Sequence, residues 1–375
     1  LIAPPPTLTS FMRKRGEWVS AFVFLLPLLF TLAIAFFYAF VRTVYFSFTD
    51  YNLFRVSQFV GLKNYLALFR DSYFILGLVH SLVYAAIVTA SQTFLALLLA
   101  VVVNQKIRGL TFFRAAYYVP SIASSVAITT IFIWLVNRRG TVNWLLGLVV
   151  QYWPLMITAF GIAALVQVLQ VLWERRHGLP VKALDPVLLA TSLLVGAVST
   201  VILGRVGLIR SNPEVEVLIP WLTTRQTFLG IPLPLLSIMM LNIWTTTPTM
   251  MILFLAGLQD IPQELYEVAD IDGATPWQKL RYVTVPALRP VMFLVITLGL
   301  IGTIQMFDQA AITAGIAPLE SVITLAYYVF WAVFGTGTLP KVGMASAAAL
   351  VLAMLTLIVV LLQRKVGFSE RGWYS

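Results

Sequence analysis

Glu264 through Pro290 read ELYEVADIDGATPWQKLRYVTVPALRP, a polar island between long apolar stretches. The chemistry available there is recognition. Acidic side chains held on a short capped helix can pair with cations of another chain. Asp260-Ile261-Pro262-Gln263 has the pattern of a capping box with proline in the first turn. Leu265, Val268 and Ala269 then share one side at helical spacing, while Glu264, Glu267 and Asp270 project elsewhere. Gly273 is a natural stop, because glycine enters the left-handed region freely. Thr275-Pro276-Trp277-Gln278 repeats the start signal, and Pro286 and Pro290 close the unit. The expectation is helix, sharp corner, helix, then an apolar span.

The elements that carry this island are long and apolar. Of 375 residues 60% are hydrophobic and 11% charged, where a soluble domain carries about a quarter charged. Apolar runs recur at Trp18–Val41, Ser81–Val103, Ala115–Val136, Tyr152–Trp173, Val187–Gly204, Leu235–Leu258, Val291–Phe307 and Val342–Leu362. Most reach the roughly 20 residues that cross a hydrocarbon core as a helix. They lack the alternation of a barrel, so helices are the remaining way to satisfy the backbone in lipid. The fold class is therefore all-α, a polytopic transmembrane bundle of about eight spans. Val187–Gly204 is short, and Val291–Phe307 reaches full length only by running on toward Asp308 and Ile312. One membrane domain, 18–365, lies between a cytoplasmic tail at 1–17 and another at 366–375. Leu1–Ser10, with three consecutive prolines, is expected to be disordered.

The net charge of +10 does not mark a nucleic-acid partner. With a cytoplasmic N-terminus and alternating spans, ten of the 25 basic residues fall outside and the majority inside. Arg13, Lys14, Arg15, Lys106, Arg108, Arg114, Arg175, Arg176, Lys182, Lys279, Arg281, Arg289, Arg364, Lys365 and Arg371 are the inner ones. Both termini are then cytoplasmic, and Arg138 and Arg139 run against the trend. In the outer loop Arg42–Tyr73, the rings of Tyr45, Phe48, Tyr51 and Phe54 suit either headgroup anchoring or an external partner. Arg205–Ile231 is expected to lie along the outer membrane face.

Several chemistries are excluded or unsupported. Cysteine is absent, which removes disulfides and thiolate metal sites. The apolar run after Arg15 is too long for a signal-peptide core and reads as a retained span. Glycine is never followed by lysine, so no P-loop can form, and energy from ATP must arrive on another polypeptide. His80 and His177 lie far apart, without metal-ligand spacing or a serine–histidine–acid arrangement, and both read as solvated or interfacial.

The island resembles the EAA loop of permease subunits in binding-protein-dependent ABC importers. The matching residues are Glu267-Val268-Ala269, Asp272-Gly273-Ala274, Leu280, Val283, Val285-Pro286 and Pro290, all at the family's spacing. Val268, Leu280, Val283 and Val285 depart from its usual residue types. Phe24–Thr49, Gly61–Tyr65, Arg114–Pro120, Asn242-Ile243-Trp244, Met251–Ile261, Phe307-Asp308 and Gly343–Ala349 resemble the carbohydrate, maltose-type branch. Only about Gln151–Gly204 falls outside, as an inserted pair of helices in an outer loop of a six-helix type I permease core. The glycine-rich outer motif after Asp308 is replaced by Ala314–Pro318. The resemblance implies a cytoplasmic coupling loop at 260–290 seated on an ATPase, with Glu267, Ala269, Asp272, Gly273, Ala274 and Pro286 in contact or at the corner. It implies a second permease subunit, two ATP-binding subunits carrying ATP and magnesium, an external solute-binding protein and a sugar or oligosaccharide. The chain itself would hold no cofactor or metal and catalyse nothing.

A sugar path needs hydrogen-bonding groups beside aromatic faces. Asn242, Trp244, Thr245, Thr246 and Thr247 supply them in one span, and Thr303 and Gln305 in the next. The same residues also serve as glue between helices. Pro248 suggests a kink. Asp308, about 26 Å along its span from Val291, belongs at the outer mouth as a gate or packing group, or in contact with substrate. Two rivals stay open: a permease for glycerol phosphate or another polyol-like solute, and an ion-coupled carrier. The carrier would need acidic groups near the midplane, which the spans hardly offer.

Overall fold

Lipid offers no water to a bare N–H or C=O, so each apolar run closes its hydrogen bonds within one helix. The structure, a computed structural model, describes residues 8–104, 117–178, 182–213, 215–335, 337 and 339–366. Lys106, Arg108, Arg114, Arg371, most of the predicted disordered tail and most of the C-terminal tail lie outside the described residues. Among the described residues, seven helices are long and apolar enough to cross a membrane. The chain divides into two compact units, residues 1–126 with 227–375, and residues 127–226.

In the first unit, α1 (Leu8–Leu32) continues through a π segment (Ala33–Tyr38) into α2 (Ala39–Ser47). Helix therefore begins inside the stretch expected to be disordered, at Leu8. α3 (Lys63–Leu68) precedes α4 (Ser72–Val103), which starts nine residues before the apolar run because Asp71 caps it. The Asp71 carboxylate accepts from the Tyr73 and Phe74 amides at 2.9 and 3.3 Å. The run at Ala115–Val136 is helical at 117–122 and again, after a bend at Ala123-Ser124, in α5 (Ser125–Leu135), which passes into the second unit from Ala127 onward. Pro120 and the neighbouring serines account for the break, since the Ser121 hydroxyl donates to the Tyr118 carbonyl at 2.9 Å.

In the second unit, α6 (Thr141–Arg176) and α7 (Pro186–Arg205) form a self-contained hairpin that encloses residues 151–204. Buried Gln167 donates to the Ala183 carbonyl at 3.1 Å and accepts from Ser192 at 2.9 Å. The stretch expected along the membrane face instead runs partly back along α6. Asn212 donates from its amide to the Gln151 carbonyl and from its side chain to the Val150 carbonyl, both at 2.9 Å. Asn143, fully buried, accepts from the Trp221 indole at 2.8 Å and donates to the Ile219 carbonyl at 2.9 Å. Polar side chains that find buried partners outweigh the interfacial preference of the tryptophan.

The first unit resumes with a two-stranded turn, β1 (Thr227–Phe228) and β2 (Ile231–Pro232), then α8 (Leu233–Gln259). Short helices α9 (Gln263–Ile271), α10 (Pro276–Lys279) and α11 (Val285–Ala287) form the island, and α12 (Arg289–Ile304) leaves it. After a break come α13 (Asp308–Thr313), α14 (Leu319–Val322), α15 (Leu325–Phe334) and α16 (Val342–Val366). α4 is the central post, packed on α8, α12 and α15. His80 on α4 is buried rather than solvated, because this face meets the segment before α15; its Nδ1 lies 2.9 Å from the Ile323 carbonyl. His177 is exposed, its ring 4.3 Å from that of Trp173 and tilted by 41°.

Candidate functional site

The corner of the island is built by three residues in a row. α9 ends at Ile271, Asp272 is its C-cap, and Gly273 takes φ +71°. The Ala274 amide then reaches the Ala269 carbonyl at 2.9 Å, and the Gly273 amide reaches Asp270 at 3.0 Å. These two bonds are a Schellman motif, which satisfies carbonyls the helix leaves bare. Ala269 and Ala274 are the pair that the motif brings together, and Gly273 supplies the left-handed turn. The EAA and DGA triplets thus write one physical object.

The second helix starts as expected. Thr275 Oγ1 accepts from the Gln278 amide at 3.4 Å, while Gln278 Oε1 accepts from the Thr275 amide at 2.7 Å. This is a closed capping box with Pro276 at the first helical position. The first start signal is different from expectation. Asp260 is the C-cap of α8, its amide bonded to the Ala256 carbonyl, and Pro262 stands at the N-cap of α9 without a side-chain bond. Asp260 sits in the right-handed helical region, which turns its carboxylate away from a capping role.

Pro286 does more than end the unit. It removes an amide from the run that continues from α10, and residues Leu280–Thr284 widen into a π segment just before it. The Val285 amide accordingly bonds back five residues to the Leu280 carbonyl. Two further contacts stiffen the corner. Lys279 forms an ion pair with Asp270, and the Tyr266 hydroxyl lies 2.9 Å from that of Thr284. The Tyr266–Thr284 link was not readable from spacing, because its partners sit on opposite sides of the corner.

What this rigid unit presents is unusual for a polar loop. Val268, Ile271, Trp277 and Tyr282 are all exposed large apolar side chains, Ile271 at 86%. Glu267 stands beside Val268, exposed, and its carboxylate accepts from Gln263 Nε2 at 3.0 Å. The root of the loop is the opposite. Leu288 is fully buried among Ala96 and Ala100 of α4, Met251, Phe254 and Leu258 of α8, and Val295 of α12. Displacing the loop therefore displaces the ends of three spans at once.

Those three spans share a polar node deeper in. The Thr246 hydroxyl donates to Gln92 Oε1 at 2.6 Å, and Thr89 lies 3.0 Å from Thr303. Gln92 and Thr303 are buried, and Gly299 of α12 leaves room for the Gln92 amide. Thr89 and Gln92 were missed in the sequence; the available signal was a glutamine in an otherwise apolar run.

The expected path residues are not gathered into one constellation. Asn242 is buried, and its carbonyl accepts from Thr245 and Thr246 at 3.1 and 2.7 Å. Trp244 is 52% exposed. α8 continues as one helix through Pro248, with the Thr247 hydroxyl turned back to Ile243. Gln305 is the exposed C-cap of α12, and Asp308 is the exposed first residue of α13, after a break instead of within a straight span. Among the described residues, no group of three or more histidine, cysteine or acidic side chains is placed to hold a metal.

Residues 178–369, which include the whole island, match the family described as the inner membrane component of binding-protein-dependent transport systems. The chain belongs to that family. The multiple sugar-binding transport system permease protein MsmF of Streptococcus mutans is 27% identical over 360 residues, covering 96% of this chain and 97% of MsmF. The probable starch degradation products transport system permease protein AmyD of Thermoanaerobacterium thermosulfurigenes is 25% identical over 356 residues, covering 94% and 96%. A solved bacterial alginate ABC transporter, in complex with an alginate pentasaccharide-bound periplasmic protein, superposes with a TM-score of 0.64. That match covers 95% of this chain and 96% of the solved one at 17% identity, and shows the fold. The resemblance to carbohydrate permeases, read from stretches such as Phe24–Thr49 and Asn242-Ile243-Trp244 outside the island, agrees with these relatives, and the chain is a multi-pass membrane component of such a transport system.

Proposed function

We propose that this chain is a permease subunit of an ATP-driven importer for a sugar or oligosaccharide, and that residues 260–290 couple it to an ATPase. The observation that carries the reading is the cornered loop itself: rigid, outside the spans, and faced with exposed Val268, Ile271, Trp277 and Tyr282. Water alone gives such a face no reason to stay bare, and a groove on a partner protein does. Sugar as the cargo is supported by the names that relatives such as MsmF and AmyD carry.

In this mechanism Glu267 pairs with a cation of the ATPase, while Ala269, Asp272, Gly273 and Ala274 hold the corner in shape. Closure of two ATPase subunits around ATP and magnesium pushes the loop. Leu288 passes the push to α4, α8 and α12, because that buried root cannot compress. The polar node of Gln92, Thr89, Thr246 and Thr303 then lies where the moving helices meet, and Asn242, Trp244 and Thr245 border it on α8. Gln305 and Asp308 mark the far end of the same path. The loop faces the cytoplasm and both termini lie there. A second permease subunit completes the path, and an external solute-binding protein delivers the sugar. The chain holds no cofactor and catalyses no step. The hairpin that includes residues 151–204 is an addition to a six-span core, and two extra spans leave the sidedness of the later spans unchanged.

Transport into membrane vesicles containing the assembled complex separates this reading from an ion-coupled carrier. Uptake should require ATP and the binding protein, and should proceed with ion gradients collapsed. Uptake driven by an ion gradient without ATP would overturn it.

A further inference from the structure

Arg138 and Arg139 are left unexplained by topology, since the trend of basic residues would place them on the other side. In the structure they flank a cleft of about 500 Å³ in the second unit, within the range of small-molecule sites. Its walls are one face of α6, with Trp144, Gln151 and Tyr152, and the extended segment that carries Glu216. Gly147 permits the close approach of the two walls, because a Cβ there would lie 3.1 Å from the Val215 carbonyl. The Asn143 amide fixes the floor through Ile219 and Trp221. Trp144 and Tyr152 keep 61% and 42% of their surface exposed. Among the described residues neither arginine is in an ion pair.

The height of the cleft decides what can reach it. α7, with 20 residues between Asp185 and Arg205, is about 30 Å long, one hydrocarbon thickness. α6 has 36 residues and is about 54 Å long. Gly204, at the end of α7, packs beside Leu155 of α6. Gln151 then stands about 6 Å, and Asn143 about 18 Å, beyond the hydrocarbon edge. Headgroups occupy only about 5–8 Å of that height. Tilting α6 to bring the arginines down would leave α7, packed against it, too short to cross. The cleft therefore opens mainly to water.

We propose that this cleft binds an acidic oligosaccharide. Carboxylates of the sugar pair with Arg138 and Arg139, a ring face lies against Trp144 or Tyr152, and hydroxyls bond Gln151 and Glu216. Glu216 argues against a polyphosphate, which it would repel, and suits a ligand that also donates hydroxyls. The inference deepens the proposed function by naming the cargo as acidic, and the proposed orientation places the cleft on the outer side.

The full chain in nanodiscs of zwitterionic lipid, titrated with trigalacturonate and with maltotriose, tests the site without ATP or partner subunits. Trigalacturonate should bind saturably, and R138Q/R139Q should weaken it roughly tenfold or more. Both arginines are exposed, so the double variant keeps the fold. W144A/Y152A should weaken binding severalfold through loss of both ring faces. Equal binding of maltotriose, or trigalacturonate binding indifferent to the double variant, would overturn the proposal. So would absence of saturable binding at millimolar sugar, or loss of binding when anionic phospholipid is added, which would name a headgroup as the occupant. Because this readout needs no transport, vesicles that fail to import sugar while the cleft still binds would refute the importer reading alone.

Discussion

Glu267→Lys should insert and assemble normally, yet uptake should fall at least tenfold while ATP hydrolysis by the complex continues. Glu267 is exposed, and its carboxylate is held within the chain by the exposed Gln263. Its reversal therefore costs the fold little, about 0.5 kcal/mol or less. At a contact with another protein the arithmetic changes. Breaking one side of a buried, hydrogen-bonded charge pair costs about 2–5 kcal/mol, more than a tenfold loss of productive contact. Uptake and ATP turnover measured on the same reconstituted sample check this. Unaltered uptake would count against the loop as the lever.

Gly273→Val should abolish co-purification with the ATPase while the spans still insert. At φ +71° a β-branched residue meets its own carbonyl, at a cost of about 1–2 kcal/mol for the left-handed region. The chain can relieve that cost by giving up the Ala274 and Gly273 amide bonds, and the corner between α9 and α10 opens. A groove shaped for a fixed corner then loses its ligand. Gly273→Asn is the matching control, because asparagine tolerates this region, and most co-purification should survive. Equal behaviour of the two variants would show that the corner's conformation is not what matters.

Much of this architecture was legible before any coordinates, and the reasons are physical. Lipid forces helices, so the apolar runs became helical, some starting as much as eleven residues earlier than the run itself. Gly273 and the Thr275–Gln278 box are local chemistry, complete within a few residues, and both formed as read. The misreadings share a cause. Asp260 looked like a cap, but the helix before it extended far enough to claim it. His80 looked solvated until α4 proved longer than its apolar run and buried that face. The Ala115–Val136 run was read as one unbroken helix because hydropathy does not register Pro120 and the serines after it, which bend it at Ala123-Ser124. The Gln92–Thr246 bond joins residues far apart in the chain, and only packing of α4 on α8 makes it visible.

Thiol labelling at Val268 asks the central question in one step, since the chain has no cysteine of its own and Val268 is exposed beside Glu267. Val268→Cys should react with a membrane-impermeant maleimide in inside-out vesicles, resist it in intact cells, and be shielded when the ATPase is co-expressed. Reaction from the outside of intact cells would put the island on the wrong face of the bilayer for an ATPase, and the coupling mechanism could not stand.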